Sequence, residues 1–265
     1  MVHAHVYSAG LPALLLGALS RAPVVVTEHF TGFQRGMVTG YERVLARIAF
    51  QRADLVAPVS RELAGHLRRI APRARIQVLP NVVDTQVFVP PESPRRRGSP
   101  VALLSVGALA EKKGHAYLLD ALARLDDGHV LDVVGDGELR GPLEARAREL
   151  GLAERVRFRG ELSKEEVAAM MRAADLFVLP STHETFGCVL IEAMATGLPA
   201  VATRVGGVPE VLTAAEGELA PARDAEALAG AIERALARSF DSADLRREAT
   251  ERYGYEAFAD RWTAV

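Results

Sequence analysis

The chain has 265 residues, 49% hydrophobic and 25% charged, with a net charge of −2. This is ordinary globular composition, enough for one large or two modest domains, without the basic excess of a nucleic-acid binder. The single cysteine, Cys188, excludes an internal disulfide framework and fits a reducing cytoplasm, and no apolar run reaches the roughly 18 residues a bilayer span needs.

The opening MVHAHVYSAG lacks the basic and apolar regions of a secretory signal. From there, short β-branched runs alternate with amphipathic ones. VHAHV (2–6), PVVVT (23–27), DLVAPV (54–59) and RIQVLP (75–80) read as strands, with helices over 9–20, 38–52 and 60–71. The pattern breaks at FVPPESPRRRGSP (88–100), rich in proline, arginine and serine, which reads as a solvated interdomain linker. An anion or membrane contact through its arginines is the competing reading. Strands resume at VALLSV (101–106), VLDVV (130–134), VRF (156–158), DLFVLP (175–180) and PAVAT (199–203). Helices fall near 115–125, 138–150, 163–173, 186–196 and 207–213. Ser163 and Glu166 form a capping box, and Asp224 caps the run AEALAGAIERALA.

Several strands are apolar throughout, as strands covered on both faces are. Alternation with helices then predicts an α/β fold of two Rossmann-like, parallel-sheet domains facing a cleft. The expected divisions are residues 1–90, a linker at 91–99, a second domain over 100–250 and a terminal helix over 251–265. Ligands of such sheets sit beyond the carboxyl ends of the strands.

The segment DLFVLPSTHETFGCVLIEAMATGLPAVAT supplies such a place. A buried strand ends at Pro180, a polar loop follows, and a helix starts near Phe186 or Gly187. Backbone N–H groups of Gly187, Cys188 and Val189 have no partner in a first helical turn, so they suit an anion such as a diphosphate. Glu184, ahead of the helix, can reach a sugar hydroxyl. Glu192, within it, can accept bonds from two ribose hydroxyls. Taken alone, a loop acid and a surface glutamate would mean nothing.

In context, the acid, the Phe186-Gly187 pair, the second glutamate after seven intervening residues from Glu184, and the run ending in VGGVPEVL (205–212) resemble retaining glycosyltransferase family 4. The resemblance implies a GT-B fold, a nucleotide diphosphate sugar as donor and no metal cofactor. It implies donor contacts at Gly107, Lys113, Gly135, Gly160, Leu162, Glu184, Thr185, Phe186, Gly187, Cys188, Val189 and Glu192. Lys113 matches the lysine that neutralises the departing diphosphate. Ala108 stands where many members carry arginine, a departure that leaves one cation fewer, with Lys112 close by. Gly135-Asp136-Gly137 resembles the family's cleft-lining turn, and Arg159-Gly160-Glu161-Leu162 the segment whose backbone reads the base.

In the first third, His3 and His5 are two apart on one strand and so face one side. His5, nearer the carboxyl end, is assigned to the catalytic cleft by the resemblance, beside Glu184 and Lys113, with His3 as the second choice. A metal reading of the pair lacks a third ligand. Glu28 and His29, at the end of the next strand, are expected on the acceptor side. Asn81 and Asp84 in VLPNVVDTQVF are expected to form a turn, with Val82 in place of the family's glycine. Family members begin with a strand and a glycine-rich loop ahead of the strand that here follows Met1. The expectation is therefore an incomplete N-domain, short by on the order of 80–100 residues.

The implied activity is retaining transfer of a hexosyl unit to a sugar or lipid-linked acceptor in glycan synthesis. The implied setting is the cytoplasm, with a peripheral contact at the inner face of the membrane left open. The alternatives are a nucleotide-sugar-binding protein without transfer and a GT-B-fold epimerase.

Overall fold

The computed structural model describes residues 1–93 and 98–263. The arginine run Arg95–Arg97, with the linker and membrane readings attached to it, lies outside the described residues. Two parallel sheets organise the chain. The first has the order β1-β2-β3, from Val2–His5, Val24–Glu28 and Leu55–Pro58, with α1 (Gly10–Ser20), α2 (Gly40–Arg52) and α3 (Arg61–Ile70) following them in turn.

RIQVLP is not a further strand. It runs beside β3, where Val56 N–H donates to Arg75 O at 2.8 Å and Gln77 N–H donates to Val56 O at 3.1 Å. The next ladder position is Pro58, which has no N–H to donate, so although Leu79 N–H donates to Pro58 O at 3.0 Å, only an isolated bridge between Val56 and Ile76 forms.

The second sheet has six strands: β4 (Val101–Val106), β5 (His129–Val134), β6 (Val156–Gly160), β7 (Leu176–Leu179), β8 (Ala200–Thr203) and β9 (Gly217–Ala220). Their order, β6-β5-β4-β7-β8-β9, reverses direction between β4 and β7. The helices are α4 (His115–Leu122), α5 (Arg140–Glu149), α6 (Lys164–Ala173), α7 (Cys188–Ala195), the single turn α8 (Val208–Val211) and α9 (Ala225–Ala237). The capping box of Ser163 with Glu166 and the Asp224 cap are both formed.

Successive residues on the central strands feed opposite faces. Leu104, Phe177, Leu179 and Ala202 join a core beneath α6 and α7 that continues into Val26 and Val56 of the first sheet and Phe50 of α2. Leu103, Leu176, Val178 and Val201 join a second core beneath α4, α5 and α9. Within the segment 251–265 lies α11 (Tyr255–Thr263), preceded by a further helix, α10 (Ser242–Tyr253). On α11, the Trp262 ring sits 5.2 Å from that of His3 in β1.

Candidate active site

The reversal between β4 and β7 parts the loops that leave their carboxyl ends, which is where an open α/β sheet takes its ligand. Residues 107–114 leave β4 and residues 180–187 leave β7. Backbone bonds hold the two loops together: Thr182 N–H and His183 N–H donate to Lys112 O at 2.8 and 3.3 Å. Gly114 (φ +68°) lies so near that a Cβ there would come within 2.1 Å of Pro180 O. Lys113 is thereby carried over the β7 loop, where its Nζ donates to Glu184 Oε2 at 2.7 Å.

Glu184 is buried and Thr185 N–H donates to its Oε1 at 3.2 Å. The Gly206-Gly207 pair after β8 packs backbone to backbone against this loop. A Cβ would stand 1.8 Å from Glu184 O at Gly206 and 2.2 Å from Thr185 O at Gly207. Phe186 turns into the core and meets Tyr253 edge-on at 5.5 Å. Gly187 caps α7 in a left-handed conformation, φ +91°, which glycine adopts without strain. The helix itself begins at Cys188. The amides of Cys188 and Val189 open its first turn, and the Cys188 side chain is exposed at that end.

One turn further along α7, Glu192 is half-buried, and burial pushes its carboxyl up to about 7 while Lys164 at the start of α6 opposes the rise. Gly107, Gly135 and Gly160 stand side by side at the carboxyl ends of β4, β5 and β6. Gly107 N–H donates to Val134 O at 2.9 Å, and Gly135 N–H to Gly160 O at 2.7 Å. A Cβ on Gly135 would come within 2.2 Å of Gly107 O, so only glycine allows this approach. Leu162 packs partly against the larger core.

The opposite wall comes from the first sheet. The His5 ring lies between those of His3, at 4.6 Å, and His29, at 5.8 Å. His3 is tied aside, its Nε2 2.7 Å from Thr27 Oγ1. Burial, then the neighbouring His5, holds His29 below the usual histidine range. Among the described residues no group of three His, Cys, Asp or Glu side chains gathers as a metal site.

Glu28 corrects the acceptor-side expectation. Its side chain is fully buried, and it accepts from the N–H groups of Tyr7, His29 and Phe30 at 2.8, 3.0 and 2.8 Å. A carboxylate spent on three backbone donors shapes the loops around His5 and His29 and cannot meet a substrate. Burial raises it to about 7 in spite of those bonds.

The walls touch at two points that sequence reasoning missed. Gln34 Nε2 donates to Glu184 O at 3.2 Å, and Thr185 Oγ1 donates to His29 O at 3.1 Å. Glu210 of α8 adds a third join, its carboxylate accepting from Arg61 and Glu62 N–H, both at 2.9 Å, at the start of α3. Asp84 does form the expected turn, with Gln86 N–H donating to its Oδ1 at 3.0 Å.

The family described as "Glycosyl transferases group 1" matches residues 91–256, and "Glycosyltransferase Family 4" matches residues 1–87. The chain is 31% identical to glycogen synthase of Mycobacterium tuberculosis over 248 residues, 89% of this chain and 60% of that one. It is 32% identical to D-inositol 3-phosphate glycosyltransferase of Corynebacterium efficiens over 246 residues, 82% of this chain and 58% of that one. The chain thus spans about 60% of the length of these curated relatives. Sucrose-phosphate synthase from Thermosynechococcus elongatus superposes with a TM-score of 0.86 at 27% identity, over 99% of this chain and 71% of that one. Anabaena Alr3699/HepE, solved in complex with UDP, has the same fold with a TM-score of 0.86 at 21% identity, over 99% of this chain and 79% of that one.

Proposed function

We propose a function from one premise: the chain belongs to the glycosyl transferases group 1 family. The reaction is transfer of a hexosyl unit, with retention, from a nucleotide diphosphate sugar to a sugar or lipid-linked acceptor in glycan synthesis. The HepE structures in complex with UDP and UDP-glucose support a nucleotide sugar as donor. The setting is the cytoplasm, with peripheral membrane contact where the acceptor is lipid-linked. No metal takes part in this scheme.

The observation that carries the reading is the convergence at one sheet reversal of Lys113, Glu184 and the start of α7, with Glu192 one turn beyond. In the proposed scheme, the donor diphosphate lies over the amides of Cys188 and Val189, and Lys113 leaves its pair with Glu184 to neutralise the leaving group. Glu184, freed of that partner, orients the donor sugar. Glu192 accepts from the ribose hydroxyls. His5 contributes a hydrogen bond to the sugar from the facing wall, and His29 stands on the acceptor side. The backbones at Gly107, Gly135, Gly160 and Leu162 line the nucleotide's path, and Thr185 and Phe186 hold the loop in place.

The test is release of nucleoside diphosphate from a panel of labelled donor sugars by wild type and Glu184→Ala. The scheme predicts turnover with at least one donor and a loss of about 100-fold or more in the variant. Equal turnover of the two proteins would remove Glu184 from the site. Binding of a nucleoside diphosphate with no transfer by wild type would favour a binding protein instead, a reading that Ala108, in place of a second cation, also fits.

A further inference from the structure

One cluster at the mouth of the cleft is left over after the donor is accounted for. Lys112 and His183 belong to the two loops tied together at the reversal, by His183 N–H to Lys112 O at 3.3 Å. The Thr182 hydroxyl bridges them, 3.3 Å from Lys112 O and 3.1 Å from His183 Nδ1. Arg35 comes from the facing wall, next to Gln34, which reaches Glu184 O. Arg223 follows β9, two strands along the same carboxyl edge from β7, a separation of about 10 Å at the usual strand spacing.

Arg35 and Arg223 are exposed, and none of the Arg35, Lys112 and Arg223 side chains forms an ion pair among the described residues. Arg223 is also held in a left-handed conformation, φ +61°, one of three non-glycine residues at positive φ among the described residues. Such a conformation is uncommon for a long side chain and concentrates at functional turns.

The three cations act on one point. Partial burial, then the fields of Arg35 and Arg223, and more weakly that of Lys112, hold the His183 ring below its usual range, with Glu111 as the opposing carboxylate. The chain as a whole has a net charge of −2, so this excess of positive charge is local. The donor diphosphate already has its own cation, Lys113, and its own helix start. A second set of free guanidinium groups on the acceptor's approach is arranged for a second anion.

We propose that Arg35, Lys112 and Arg223, with His183 among them, receive a phosphate carried by the acceptor, so that the molecule to which the sugar is transferred is a phosphorylated one. The proposal rests on the donor-site reading above, because only a filled donor site leaves these cations for the acceptor. Two sources share this chemistry, a free sugar phosphate and a lipid phosphate headgroup.

The experiment uses the whole chain saturated with UDP, so that Lys113 and α7 are occupied. Calorimetry follows the binding of glucose 6-phosphate and of glucose. Sedimentation follows binding to phosphatidylcholine vesicles with and without phosphatidylinositol. Wild type is compared with the double variant Arg35→Gln/Arg223→Gln. The proposal expects glucose 6-phosphate to bind where glucose does not, or vesicles with anionic phosphatidylinositol to bind where vesicles of phosphatidylcholine alone, whose phosphate is neutralised by choline, do not. It expects at least about tenfold weaker binding of that probe by the double variant, with UDP affinity unchanged. Whichever probe responds identifies the source. Wild type that binds UDP but does not discriminate by phosphate overturns the proposal and leaves the donor reading intact. So does a double variant that loses UDP affinity instead, which would assign the arginines to the donor. Wild type that does not bind UDP removes the donor reading, and this proposal with it.

Discussion

At the scale of single residues, the site is governed by where each carboxylate finds its partners. Glu184 is buried, yet Lys113 meets it at 2.7 Å. Glu28 is buried and spends itself on backbone amides. Glu192 has neither, and burial leaves it at about 7. In the window from the ordinary 4.5 to about 7, the folded chain therefore holds a proton at Glu192 that the unfolded chain has lost. The contribution of Glu192 to stability falls as pH rises through that window. In the proposed scheme the ribose hydroxyls donate to the charged form, so ligand binding has the opposite sign. UDP affinity is expected to drop as pH falls from about 8 to about 6, by up to about tenfold from this group. Glu192→Gln should bind UDP more weakly at the higher pH and lose that part of the pH dependence, as read by calorimetry. Superimposable pH profiles for the two proteins would take Glu192 out of the nucleoside site.

At the scale of elements, the loop carrying Glu184 is held by glycines more than by side chains. Gly114 clears Pro180, Gly206 clears Glu184, and Gly187 turns the chain into α7. Gly206→Ala would set a Cβ 1.8 Å from Glu184 O in a backbone at φ +49°. The loop must then move, at a cost on the order of 3 kcal/mol. The expected outcome is a lower melting temperature together with turnover reduced at least about tenfold, since Glu184 and its contact with Gln34 move together. Unchanged turnover would show that the loop position is not needed.

Much of this level was legible in the sequence. The strand-loop-helix segment around Glu184 combines an apolar run, a polar loop and a glycine, and each signal is local. The lysine-glycine turn and VGGVPEVL were likewise visible as motifs. What escaped reading depends on neighbours far along the chain. GELA (217–220) has no β-branched residue and becomes β9 only because β8 is there to pair with it. RIQVLP has strand composition but meets Pro58. Glu28 looks available at a strand end, and only the fold shows three amides around it. Gln34 carries no motif at all, because its partner is the main chain of Glu184, 150 residues away.

At the scale of the whole molecule, the two sheets are joined by polar contacts at the cleft and by a shared core behind it. The outer face of the first sheet's helices is different. Leu15, Leu16 and Leu19 on α1 are 64%, 55% and 76% exposed, and Tyr41, Val44 and Ile48 on α2 are exposed as well. So much exposed apolar surface on two neighbouring helices favours association in water. Light scattering of the isolated chain is expected to show self-association that Leu16→Glu/Leu19→Glu reduces. A monodisperse wild type, matched by the variant, would contradict this.

The central claim is that a nucleoside diphosphate binds where β4 and β7 part, held by Lys113. Calorimetric titration of wild type and Lys113→Ala with UDP and GDP tests it most directly. Wild type is expected to bind at least one of them, and the variant to bind it at least about tenfold more weakly because a charge-assisted contact is lost. Equal affinity in the two proteins, or no binding of either nucleotide by wild type, would contradict it.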